Sequence, residues 1–110
     1  MKKIEAIIKL ENFEGLKTAL EGAGCADLMA SEIQDYGKHM EIVQIWRGRE
    51  YRVAQSMMKL EAVVEDHEAA KIVQLILASA PEKSRSGRVL VYSIAEDYEI
   101  TGVPAIKEAV

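Results

Sequence analysis

The short polar stretch from Glu82 to Arg88 combines one glycine, two serines and three cationic side chains, a composition that can bind an anion. Backbone N–H groups in a turn of this kind can surround an anion, and a neighbouring arginine or lysine adds positive charge. The chemistry suits one or two phosphate groups, as in AMP, ADP or a cyclic nucleotide. The stretch is not a Walker loop, and such turns are often only solvated, so these residues alone leave both interpretations open.

A second chemically distinctive stretch, IWRGREY, runs from Ile45 to Tyr51 and holds the only tryptophan of the chain. Tryptophan, tyrosine and arginine are the residues that most often anchor protein–protein contacts. The segment is therefore interpreted as a docking surface formed by Trp46, Arg47, Arg49 and Tyr51. The alternative is that Trp46 and Tyr51 fold back onto their own subunit or onto a neighbouring one.

Residues for catalysis or metal binding do not form a recognisable set. Cys25 is the single cysteine, so it cannot form an intrachain disulfide, and it is expected to be a small buried residue in a reducing compartment. His39 and His67 are isolated, and no Ser/His/Asp, Cys/His or paired-carboxylate pattern accompanies them. The sequence therefore predicts neither an enzyme nor a metal site.

Length and composition limit the class of protein. The 110 residues suffice for a single domain, 1–110, and 49% hydrophobic with 29% charged residues is typical of a globular chain. The net charge of −4 argues against a nucleic-acid partner, which usually meets a basic surface. Neither an export signal nor a membrane-spanning run is recognisable, which favours a cytoplasmic protein.

Hydrophobic periodicity indicates four strands and two helices. Apolar residues alternate in four segments and recur at helical spacing in two others. Asn12 and Asp66 are predicted to cap the helices, while Gly24 and Pro81 are predicted to end them. The predicted elements are strand 3–10, helix 12–23, strand 27–36, strand 58–64, helix 66–80 and strand 88–94. This βαββαβ order predicts an α+β, ferredoxin-like fold, an antiparallel sheet with both helices on one face.

The other sheet face is expected to be unusually apolar. It would carry Ile7, Met29, Ile33, Met57 and Val63 among its charges. Because such a face is a liability in a monomer, we expect it to pack against other copies of the chain. On the third predicted strand, Lys59 and Glu61 point to this face, where they pair between subunits, pair across strands of one subunit or remain solvated.

About twenty residues join the second and third predicted strands, and loops of that length in a compact domain are usually functional or disordered. This loop is too apolar for a solvated spacer. Residues 41–46 are predicted to form a strand, with residues 47–50 at the tip of the hairpin.

Several segments resemble sequences of the PII signalling family. They match the N-terminus of those sequences, their long T-loop, the strand that follows it, their B-loop and their C-terminal turn. The resembling segments are MKKIEAII at the start, Ser31-Glu32, Tyr36-Gly37-Lys38, Trp46-Arg47-Gly48-Arg49-Glu50-Tyr51, Lys59 to Asp66, Gly87-Arg88-Val89 and Thr101-Gly102. The Arg-Gly-x-Glu-Tyr piece is fairly specific, and the resemblance covers most of the chain.

The resemblance implies a homotrimer of ferredoxin-like subunits with nucleotides held in the clefts between them. It also implies a T-loop, about 37–56, that reaches out to an enzyme, a transporter or a regulator, and a B-loop, about 82–88. Tyr51 matches a tyrosine that some members use as a uridylylation site. The positions carried over as ligand-binding are Gly37, Lys38, Val63, Ser86, Gly87 and Arg88.

The sequence departs from the family pattern at positions that the family uses to bind its effectors. Met57 stands in place of a lysine that helps hold ATP and 2-oxoglutarate, and His39 in place of a glutamine that helps bind magnesium. Tyr98 and Ile100 replace two phosphate-gripping arginines, and Arg85 replaces a B-loop glycine. Three cationic side chains are therefore missing from the cleft. Their absence is expected to reduce the affinity for a triphosphate with magnesium more than the affinity for a ligand with fewer phosphates.

The sequence therefore predicts a divergent PII-like regulator. Its ligand is expected to be an adenine nucleotide, with AMP, ADP or cyclic AMP favoured over Mg-ATP with 2-oxoglutarate, and no cofactor is expected. Its T-loop is expected to act on a target such as a metabolic enzyme or a membrane transporter, which would also bring it to the membrane. Two alternatives remain open: a sensor of bicarbonate or another small anion on the same scaffold, and a structural trimer without ligand.

Overall fold

The computed structural model describes residues 1–36, 42–53, 55–79 and 87–102. Within these residues the chain forms six strands and two α-helices, and a 3-10 turn at Leu10–Asn12 leads into the first helix. The bounds are β1 Lys2–Lys9, α1 Phe13–Gly22, β2 Leu28–Asp35, β3 Ile42–Trp46, β4 Arg49–Val53, β5 Gln55–Val64, α2 Asp66–Ala78 and β6 Gly87–Ser93.

Four strands form one antiparallel sheet in the order β2-β5-β1-β6. Among the described strands, β3 and β4 pair only with each other, in a second, two-stranded sheet. The central position of β1 between β5 and β6 is the strand order of a ferredoxin-like fold. The predicted α+β, ferredoxin-like class is therefore confirmed, with the β3–β4 hairpin inserted between β2 and β5.

The core lies between the sheet and the two helices. In β1, the alternate residues Ile4, Ala6 and Ile8 are buried, because successive side chains of a strand point to opposite faces. Burying an aliphatic side chain of this kind contributes roughly 1.5–3 kcal/mol. The other buried members of this core are Leu16, Leu20, Cys25, Leu60, Ala62, Val64, Ala69, Ile72 and Ile76.

Helix caps differ from the sequence prediction in detail. Asn12 occupies the cap position of α1, but its side chain makes no cap hydrogen bond, because the preceding 3-10 turn holds it at φ −93°, ψ −6° instead of an extended conformation. Asp66 is the first residue of α2 and not its cap, a position taken by the extended Glu65. The Asp66 carboxylate pairs instead with the N-terminal amine of Met1 at 2.9 Å.

Helix ends and strand bounds also refine the prediction. Gly24, at φ +85°, follows the end of α1 as predicted, whereas α2 ends at Ala78 and Pro81 lies outside the described residues. Strand β5 begins at Gln55, three residues before the predicted start, because its first residues pair with β2 and Gln34 Nε2 donates to Ser56 Oγ at 2.9 Å. Among the described residues, no helix is long and apolar enough to cross a membrane.

Candidate functional site

The β3–β4 hairpin is closed by a two-residue turn. Arg47 and Gly48 both have positive φ, 49° and 75°, as a type I′ turn requires. This turn matches the right-handed twist of the flanking strands, but it costs a non-glycine residue roughly 1–2 kcal/mol. The predicted tip, residues 47–50, was therefore too long: Arg49 and Glu50 belong to β4, where they pair with Trp46 and Ile45.

One face of the hairpin carries aromatic and cationic side chains. The Arg47 guanidinium lies over the Trp46 ring, 4.4 Å from its centroid, and Tyr51 meets Trp46 edge-on with ring centroids 6.4 Å apart. Register places Arg49 directly opposite Trp46 on the same face. Trp46 nevertheless remains 59% exposed, so within this chain it does not fold back onto the main sheet.

The opposite face of the hairpin combines aliphatic and charged residues, because Val43 is in register with Arg52 and Ile45 with Glu50. Val43 and Ile45 point to this side and are exposed, Ile45 to 73%. An isolated two-stranded hairpin is at best marginally stable in water, so it gains stability by packing against another surface. The exposed side chains of Val43 and Ile45 are available for such a contact. The four predicted docking residues Trp46, Arg47, Arg49 and Tyr51 are thus brought together at one end of a hairpin.

Of the predicted ligand-binding residues, the structure describes Gly87, Arg88 and Val63. Gly87 adopts φ +149°, and a Cβ added there would lie 1.7 Å from the carbonyl oxygen of Ile7. Glycine at this position therefore permits the close approach of β6 to β1. Arg88 follows Gly87 in β6, where it is exposed and in register with Ile7. Both residues lie on the sheet face that the helices do not cover, which we call the helix-free face. The predicted positions Gly37, Lys38 and Ser86 lie outside the described residues.

A single chain does not bring Val63 to Arg88. Through β1, Arg88 is in register with Lys59 and Tyr92 is in register with Val63. Four residues along a strand separate these two levels, about 13 Å. Val63 instead borders a groove of about 200 Å³ that is also lined by Met1 and the turn from Gly24 to Asp27.

The residues that depart from the family pattern have contrasting environments. Met57 is fully buried, with 0% of its surface exposed, although it alternates to the helix-free face. Tyr98 and Ile100 are exposed, and the Tyr98 hydroxyl donates to the Glu96 carboxylate at 2.9 Å. None of the three supplies a cation. His39 and Arg85 lie outside the described residues.

A cluster of charges occupies the centre of the helix-free face, and we name Lys3, Glu5, Lys59, Glu61 and Tyr92 the charge cluster. Glu5 stands directly opposite Glu61 on neighbouring strands, an arrangement that is repulsive unless neutralised. Lys59 Nζ lies 3.2 Å from Glu5 and 3.6 Å from Glu61, and Lys3 Nζ lies 2.8 Å from Glu61. Lysine–glutamate pairing within one subunit is thus confirmed.

The titration of the charge cluster follows from these contacts. The hydrogen bond from Lys3 lowers the pKa of Glu61, and the same bond raises the pKa of Lys3. The bond to Glu5 raises the pKa of Lys59, and a bond to Glu5 also raises the pKa of Tyr92. Sequence reasoning found Lys59 and Glu61 but missed the other three. The alternation in β1 was visible, yet the register that sets Glu5 against Glu61 was not.

Cys25 and His67, two of the chemically isolated residues, lie in different environments. Cys25 is buried, as predicted, and burial raises the pKa of its thiol. His67 is exposed beside Glu68 at 4.0 Å, a distance at the limit of an ion pair. Among the described residues, no three metal-binding side chains are grouped.

The fold and the hairpin together define a small ferredoxin-like α+β protein with an exposed two-stranded hairpin. The sequence model of the family described as "Nitrogen regulatory protein P-II" matches residues 1–102. The chain belongs to this P-II family, which confirms the resemblance and makes the protein a signal-transduction regulator of the P-II type. Members of the family are regulatory proteins that interact with targets.

Individual relatives agree with the family assignment. The chain is 34% identical over 112 residues to nitrogen regulatory protein P-II 2 of Methanothermobacter thermautotrophicus, covering 100% of this chain and 97% of the relative. It is 37% identical over 81 residues to nitrogen regulatory protein P-II of Microchaete diplosiphon, covering 73% and 72%. It is 30% identical over 96 residues to nitrogen regulatory protein P-II of Pasteurella multocida, covering 86% of each.

Proposed function

We propose that this P-II protein is a homotrimer that binds an adenine nucleotide in the clefts between its subunits and regulates a target through the β3–β4 hairpin. The hairpin lies within the segment that corresponds to the family's T-loop. The observation that carries the proposal is the Gly87–Arg88 pair. Gly87 fixes the start of β6 against β1, and Arg88 follows with an exposed guanidinium available to an anion.

The separation of Arg88 from Val63 within one chain supports a cleft between subunits. Predicted ligand-binding residues that lie on different levels of the sheet cannot line one small pocket in a monomer. Two neighbouring copies can supply one level each. The helix-free face, with Met29 exposed and Ile7, Ile33 and Val63 partly so, offers an apolar surface for that association.

The ligand class follows from the number of cations. Each phosphate of a nucleotide requires cationic or N–H partners, and magnesium with a triphosphate requires more. Met57 is neutral and buried, and Tyr98 and Ile100 are neutral and exposed, at positions where the family carries cations. AMP, ADP or cyclic AMP is therefore favoured over Mg-ATP with 2-oxoglutarate, and no permanently bound cofactor is proposed.

Regulation is proposed to work by a shift between states of the hairpin segment. A nucleotide changes such an equilibrium only if it contacts one state better than the other. The target would be a metabolic enzyme or a membrane transporter that reads the favoured state. The protein itself is proposed to reside in the cytoplasm and to reach the membrane through such a transporter.

Calorimetric titration with AMP, ADP, ATP and cyclic AMP tests the nucleotide proposal. We expect Arg88→Ala to weaken binding of the favoured nucleotide about tenfold or more, because a guanidinium–phosphate contact is lost. Lys71→Ala, which removes an exposed cation from α2, serves as the matched control and should bind normally.

The remaining outcomes separate the alternatives. Binding of Mg-ATP more tightly than ADP would contradict the argument from missing cations. If no nucleotide binds but bicarbonate does, and Arg88→Ala abolishes that binding, the scaffold is a small-anion sensor. A well-folded trimer that binds neither, with Arg88→Ala silent, is a structural trimer without ligand.

A further inference from the structure

The β3–β4 hairpin differs in charge from the rest of the chain. It carries three arginines and one glutamate, a net charge of +2, within a chain whose net charge is −4, so the remainder carries −6. Three of the five arginines lie in the hairpin and none of the nine lysines does. Because arginine is enriched and lysine depleted at protein interfaces, this segregation indicates contact with a partner.

We infer that the hairpin docks against an acidic surface of a partner protein, with carboxylates meeting Arg47 and Arg49 around an apolar contact for Trp46. The inference deepens the proposed function, since it takes the hairpin as the arm that meets the target. A guanidinium binds a carboxylate through two parallel hydrogen bonds, which a lysine cannot do. The partner is thereby specified by charge.

The geometry prepares the hairpin for this contact. The Arg47 guanidinium is stacked on Trp46 at 4.4 Å, and Tyr51 supports the same ring from its edge. Side chains held by such contacts lose less conformational freedom on binding than free ones, which improves affinity. The positive φ of Arg47 places this cation at the turn itself.

The acidic remainder of the chain does not cancel the charge at the turn. Five residues per strand give the hairpin a length of about 16 Å, roughly twice the Debye length of about 8 Å at physiological salt. A partner at the turn therefore meets chiefly the local positive charge. A long polyanion such as a nucleic acid would also extend along the acidic remainder, which disfavours that class of partner.

Trp46 fluorescence tests the inference in the full-length protein, because the single tryptophan reports on the hairpin alone. The probes are hexa-L-glutamate, the neutral hexa-L-glutamine and a short oligothymidylate, all of them short enough to contact the hairpin alone. We expect saturable binding of hexa-L-glutamate that weakens steeply between about 0.05 M and about 0.5 M salt. Arg49→Gln should weaken it about tenfold, whereas Lys71→Gln, the same loss of charge on α2, should not.

Each other result overturns the inference. If hexa-L-glutamate does not bind, an acidic partner is excluded, and if hexa-L-glutamine binds equally well, charge does not determine the contact. Tighter binding of the oligothymidylate assigns the hairpin to nucleic acid. Equal effects of Arg49→Gln and Lys71→Gln exclude the hairpin as the contact. Arg49→Gln is expected to bind nucleotide normally in calorimetry. This measurement distinguishes failure of the acidic-partner inference from failure of the nucleotide proposal.

Discussion

At the scale of single residues, Gly87 has a structural role beside its predicted ligand role. A Cβ at this position would lie 1.7 Å from the Ile7 carbonyl oxygen, which belongs to the backbone and cannot rotate away. Arg88 depends on this approach for its position. The sequence motif predicted a ligand role for Gly87 but could not reveal that strand packing requires a glycine there, because the register of β6 on β1 is a tertiary property.

Replacing Gly87 with alanine should destabilise the protein by about 2 kcal/mol or more, since a positive φ and a backbone clash are both imposed. Gly15→Ala is the control, because Gly15 has nothing within 4 Å and lies in α1. That change should stabilise by roughly 0.5–1 kcal/mol. Urea unfolding of both variants at one protein concentration measures the difference. Equal stabilities would contradict the close approach of β6 to β1.

At the scale of elements, alternation and helical spacing predicted the order and the faces of the four-stranded sheet and its helices. The predictions of strand bounds and helix caps that were wrong have physical causes. Gln55 and Ser56 were not recognised as strand because their pairing with β2, and not their own pattern, makes them extended. The Asn12 side chain does not cap α1 because a 3-10 turn precedes it. The Asp66 carboxylate pairs instead with the N-terminal amine of Met1.

The β3–β4 hairpin should open without loss of the main fold, because its two strands form a sheet of their own. Gly48→Val places a β-branched residue at φ 75°, where it is strained, and should weaken the type I′ turn. We expect faster trypsin cleavage at Arg47 and Arg49, mapped by mass spectrometry, with an unchanged urea midpoint. A lowered midpoint would show that the hairpin and the main sheet unfold together.

At the scale of the whole molecule, the helix-free face combines an apolar rim with a charge cluster whose two carboxylates are matched by two lysines. The candidate ligand site could be predicted from the sequence only as a set of positions, since Arg88 and Val63 lie apart in one chain. A site that contains both would require association of copies, which periodicity in one sequence does not describe. The oligomeric state therefore decides whether the predicted site exists.

Met29→Lys tests this association with little harm to the subunit. Met29 is 64% exposed on the helix-free face, and its cross-strand neighbour is Glu61, which can accept a lysine as a partner. The change should leave folding by circular dichroism intact, yet shift sedimentation from trimer toward monomer, because a charge enters an apolar contact. Leu77→Lys, on α2 and 56% exposed, should remain trimeric. If Met29→Lys stays trimeric while Leu77→Lys dissociates, the trimer forms through the helices, and a cleft bordered by Arg88 and Val63 is excluded.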